Sequence, residues 1–125
     1  MDRARFEKLV EDGIGAIPAR FREKLKNVAI LVEDEPSAEQ LASVGMEPDE
    51  NGELLGLYEG VSNIEGGHTH RGLPDRITVF SLAILEEAER AEGVPRIVAE
   101  TVRHEIAHHF GMDEDEVERA ERRER

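Results

Sequence analysis

Apolar residues along the chain recur at helical spacing, then in continuous runs, then at helical spacing again. In "MDRARFEKLVEDG", Phe6, Leu9 and Val10 share one helical face, which predicts an opening helix stopped by Gly13. Pro18 suits the first turn of a second helix carrying Phe21 and Leu25. "NVAILVED" is an aliphatic run between polar residues and predicts a buried strand from Val28 to Val32. Residues 33–52 are rich in Glu, Asp, Pro and Gly and read as a surface excursion with one short helix in "SAEQLASVG". "ELLGLYEG" predicts a second strand in which Gly56 marks a bulge or a close backbone approach. Residues 60–75, "GVSNIEGGHTHRGLPD", are the expected mobile loop, and "RITVF" is the third strand.

The rest of the chain returns to helical spacing. "SLAILEEAERAEG" places Leu82, Leu85 and Ala88 on one face, with Ser81 as N-cap and Gly93 as the stop. Pro95 opens the last major helix, in which Val98, Val102, Ile106 and Phe110 follow at steps of four and form the expected core stripe. Gly111 ends it, and Asp113 with Glu116 makes a D-x-x-E start for a closing helix rich in Arg and Glu. No internal repeat interrupts the pattern. The sum predicts one mixed α+β domain over residues 1–125, with three or more strands.

Composition narrows the function classes. The length of 125 residues allows one core, and 38% hydrophobic residues in periodic runs favour a folded chain despite 36% charged residues. With one Tyr, four Phe and no Trp, that core must be mostly aliphatic. Sixteen basic against 29 acidic residues give a net charge of −13, which repels phosphate backbones and anionic lipid, so neither nucleic acid nor membrane is an expected partner. The absence of cysteine favours the cytoplasm and rules out a thiolate metal site or a cysteine nucleophile. No apolar leader or membrane span is visible. Abundant Arg and Glu with few Asn and Gln is a composition found in thermophilic sources.

The chemistry concentrates in "HEIAHHFGMDE", residues 104–114. Residues four apart on a helix lie about 40° apart around the axis, so His104 and His108 share a face, one turn apart. Two imidazoles so placed can reach one zinc ion, and Glu105, about 100° round, can hold a water beside it as general base. Both histidines point roughly 180° from the middle of the apolar stripe, toward a cleft or solvent. A catalytic zinc wants a third protein ligand. Gly111 permits a sharp turn that brings the next acids back, with Glu114 the best candidate and Asp115 and Glu116 the alternatives. Asp113 is better used as the helix cap.

This motif resembles the extended H-E-x-x-H-x-x-G-x-x-[HDE] pattern of zincin-type metallopeptidases. Together with "VAILVEDEP", "LLGLYEG" and "LPDRITVF", it looks like that of the small bacterial zincin-like metallopeptidases, or minimal metallopeptidases, from about residue 5 to 118. The resemblance implies a zincin-like fold, with the HExxH helix packed on a small mixed sheet and one zinc per chain. It places His104 and His108 as metal ligands, Glu105 as the catalytic glutamate and Gly111 as the turn glycine. Glu114 falls at the third-ligand position, where related motifs more often have His or Asp. The methionine turn of larger relatives is missing, Met112 lying too early to serve.

The implied reaction is hydrolysis of a peptide bond in a peptide or protein substrate, which an edge strand would bind by β-addition. "LLGLYEG" is the candidate strand, with Tyr58 a candidate for oxyanion stabilisation or substrate contact. His109 reads as an outer-sphere or surface histidine. His68 and His70 alternate as extended residues do and are candidates for lining the cleft or binding a second ion, against a plain solvated loop. The acidic tail reads as a wet helix with Glu–Arg pairs, or as a rim favouring basic peptides. Against the peptidase stands a second reading: a zinc-binding module that acts in protein interaction without proteolysis.

Overall fold

The computed structural model describes residues 1–60 and 74–110. Helix α1 spans Arg3–Gly15 and is capped by Asp2, whose carboxylate accepts the Arg5 N–H at 2.8 Å. Phe6 and Val10 are buried as expected. Gly13, however, does not stop the helix. A Cβ at Gly13 would lie 2.6 Å from the Pro95 carbonyl oxygen and 3.0 Å from Val98 Cβ, so the glycine is where a later helix touches α1. Pro18 then introduces α2 (Ala19–Arg22), and a 3₁₀ turn follows over Glu23–Leu25. Ile17 and Phe21 extend the buried surface of α1.

Among the described residues, three strands form one sheet in the order β1-β3-β2, comprising β1 (Val28–Glu33), β2 (Gly56–Glu59) and β3 (Asp75–Phe80). β1 runs parallel to β3, with Ile30 opposite Ile77, and β2 runs antiparallel to it, with Tyr58 opposite Ile77. The buried strand is therefore β3, where Ile77, Thr78, Val79 and Phe80 are fully enclosed. β1, expected to be buried throughout, is an edge strand that alternates. Ile30 and Val32 turn toward the helical core, while Leu31 and Glu33 are exposed on the opposite face. That face is partly covered by α3 (Ala38–Ser43), which starts in a capping box between Ser37 and Gln40 and reaches the sheet through Gln40 Nε2, 3.0 Å from Glu59 Oε1. The acidic stretch after it winds into a 3₁₀ segment, Pro48–Glu53.

β3 runs straight into α4 (Ser81–Ala88). Ser81 is its first helical residue, not its cap, and the buried positions are Ser81, Ala83 and Ile84, with Leu82 exposed. Leu85 and Ala88 pack against the core as expected, but the strand junction fixes the phase of this short helix so that Ala83 and Ile84 are buried in place of Leu82. It ends at Ala88, before Glu89 with φ 61°, well ahead of Gly93.

A 3₁₀ turn at Ala91–Gly93 leads into α5 (Val94–His109), with Pro95 in its first turn. Val98, Val102 and Ile106 are fully buried between α1 and the sheet, but Phe110 lies past the helix end and is 41% exposed. The core stripe is thus one residue shorter than expected. Among the described residues, no helix is long and apolar enough to cross a membrane.

Candidate active site

The burial of its inner stripe fixes which residues α5 presents outward. His104 and His108 are exposed, and their ring centroids lie 4.2 Å apart with planes inclined at 50°. Glu105, one position round the helix, is partly buried against β2. Burial pushes its carboxyl above the ordinary carboxylate range. The two imidazoles and a hydrogen bond from the Tyr58 backbone N–H pull in the opposite direction. The carboxylate is therefore held by the edge of the sheet.

Gly56 makes this approach possible. A Cβ there would lie 2.6 Å from Thr101 Cγ2 and 3.2 Å from the Thr78 carbonyl oxygen, so only glycine lets β2 come this close to α5. This is the close backbone approach expected of Gly56. Thr101 stands one turn before Glu105, its hydroxyl donating to the Ile97 carbonyl at 2.7 Å. A groove of about 420 Å³ opens beside the two histidines and Glu105. Leu54, Leu55 and Ile97 provide its apolar lining, and Glu53, Glu87 and Glu100 its acidic lining.

Tyr58 extends the site on the other side. Its hydroxyl donates to Asp75 Oδ2 at 2.8 Å, so the proton expected to serve an oxyanion is directed at a carboxylate. Burial first, and then Asp75, raise its pKa well above the ordinary tyrosine value. Its ring stacks on His109, with centroids 3.7 Å apart and planes 16° from parallel. Phe110 meets both rings edge-on, at 6.3 Å from Tyr58 and 4.9 Å from His109, and Lys24 Nζ lies 5.3 Å from the Phe110 ring centre. The sequence pointed to Tyr58 and His109 separately, but nothing local linked either to the other or to Asp75.

The donor set suits zinc: two imidazoles on one exposed face, with a carboxylate beside them. Among the described residues, no three His, Cys, Asp or Glu side chains gather to hold an ion. The expected third ligand Glu114, its alternatives Asp113, Asp115 and Glu116, the turn residue Gly111, and His68 and His70 all lie outside the described residues.

The fold is a small mixed sheet with helices against it, and its longest helix presents H-E-x-x-H at the edge. The sequence pattern of zincin-like metallopeptidases matches residues 25–123, and the chain belongs to that family. The match takes in all three strands and the motif helix but begins after α1 and α2. No curated protein matches the chain.

Proposed function

We propose that this chain is a zinc-dependent peptidase with Glu105 as general base and with His104, His108 and Glu114 as the ligands of one zinc ion. The observation that carries the reading is the adjacency of the two imidazoles on an exposed helix face, beside a carboxylate anchored to the sheet. A zinc ion there would supply Lewis acidity toward water and the scissile carbonyl. Glu105 accepts the proton of the attacking water as the new C–O bond forms, then returns it to the amine nitrogen as the C–N bond breaks. The Tyr58 N–H keeps its carboxylate facing the two histidines during both transfers.

The substrate is a peptide held in the groove beside the two histidines, next to the β2 edge whose outward Tyr58 N–H already serves Glu105. The groove beside the histidines has carboxylates around an apolar floor and suits the aliphatic stem and cationic head of lysine or arginine. The net charge of −13 argues against nucleic-acid or membrane partners, and we place the protein in the cytoplasm on its lack of cysteine.

The test compares zinc content and hydrolysis of fluorogenic peptides for the wild type, a His104→Ala/His108→Ala variant and Glu105→Gln. About one zinc per wild-type chain, lost in the double variant, is expected. Glu105→Gln should keep zinc and lose about 10²- to 10⁴-fold in kcat. Zinc binding without turnover in the wild type would favour the non-proteolytic module, and no zinc in any form would overturn the metal site.

A further inference from the structure

We infer that Tyr58 is a positioning residue that holds the His108 end of α5 in register with His104, acting through His109. The inference rests on the zinc-site reading for its functional consequence, but its geometry is independent of it. His104 lies a turn inside α5, whereas His108 belongs to the last turn, which ends at His109. Terminal helical turns fray because their last carbonyls lack intrahelical partners. Little of the core restrains this end beyond Ala107, since His108, His109 and Phe110 are all exposed.

What meets the exposed turn is Tyr58. In the antiparallel β2–β3 pair it stands opposite Ile77, so Asp75, two residues along, points to the same face of the sheet. The 2.8 Å bond to Asp75 anchors the phenol from its far end, and the ring lies flat on His109 at 3.7 Å. The edge of Phe110 against both rings completes the contact. The same residue gives its backbone N–H to Glu105. One strand position therefore addresses the base directly and the second histidine through its neighbour. Rotation or fraying of the last turn would break the stack and separate His108 from His104, and outer-sphere contacts of this kind govern metal affinity by about 10- to 100-fold.

The experiment measures two quantities on wild type, Tyr58→Phe, Tyr58→Leu, His109→Leu and the Tyr58→Leu/His109→Leu pair. The first is amide hydrogen exchange of residues 107–110 in zinc-free protein, and the second is zinc affinity by chelator competition. Tyr58→Leu and His109→Leu should each speed exchange and weaken zinc binding by about tenfold. The double variant should be no worse than either single, because both remove one contact. Tyr58→Phe keeps the ring and should restore most of the affinity. Unchanged exchange in the single variants, or losses that add in the double, would overturn the inference. Faster exchange in the single variants, together with a wild type that binds no zinc or binds it without turnover, would support the clamp while overturning the metal or peptidase reading.

Discussion

The two outer strands of the sheet border the same central strand but are finished in different ways. β1 is six residues long, runs parallel to β3, and faces an apolar groove of about 880 Å³ beside α1 that includes Val10, Ile14, Ile30 and Leu31. The Arg3 guanidinium donates to the Val32 carbonyl and lies 4.0 Å from Asp34, placing a charge at that edge. β2 is four residues long, runs antiparallel, and is crossed by α5, which meets it at Gly56 and takes the Tyr58 N–H onto Glu105. A charged side chain at an edge discourages pairing with another strand. The Glu105 carboxylate, bonded to an edge, instead uses the unpaired backbone as part of the candidate site. The candidate site therefore forms where a helix reaches the sheet margin, and this reach depends on the missing side chain at position 56.

The strongest test of that contrast is Gly56→Val. The added atoms collide with Thr101 and with the β3 backbone, so β2 and α5 must separate. A loss of about 1–3 kcal/mol in urea unfolding is expected, with most peptidase activity lost because Glu105 leaves its N–H partner. Full activity would mean that the strand–helix contact does not position the base.

A smaller effect should appear at Tyr58, the one tyrosine of the chain, whose phenolate absorbance can be followed without interference. It should titrate above the ordinary value of about 10. Asp75→Asn should lower that pKa only part of the way, since burial is the larger cause and Asp75 the smaller. Because ionisation is harder in the folded state, the stabilisation is fully present below the unfolded pKa and disappears as pH rises through the folded one. A titration at the ordinary value would break the proposed anchoring.

The smallest effect belongs to the other margin. Arg3 is well exposed, so Arg3→Ala should change stability by less than about 1 kcal/mol and leave hydrolysis unaltered. A cost matching that of Gly56→Val would erase the difference between the two edges.

Periodicity made the inner face of α5 legible, because Val98, Val102 and Ile106 obey one repeat and all are buried. The H-E-x-x-H spacing likewise placed His104, Glu105 and His108 relative to one another before any fold was known. The repeat failed at Phe110, where the helix stops and the ring turns to Tyr58 and His109. Gly13 was read as a stop because glycine weakens a helix intrinsically, but the decisive fact is the Pro95 carbonyl against it, more than 80 residues away. In "SLAILEEA", four apolar residues lie so close together that two helical faces fit, and only the incoming direction of β3 chooses Ala83 and Ile84 over Leu82. The Tyr58–Asp75 bond spans 17 residues and depends on strand register, which neither local segment encodes.

Recognisable ancestry and mechanical support have different borders in this chain. The family pattern starts at residue 25, yet Phe6, Val10, Ile17 and Phe21 are buried in the same core as the motif helix, with Gly13 seated against its first turns. A fragment cut at the family border would keep every motif residue but uncover the side of α5 opposite its histidines. The opening helices thus act as a foundation: they contain no histidine, yet they determine how firmly the histidine-bearing surface is braced.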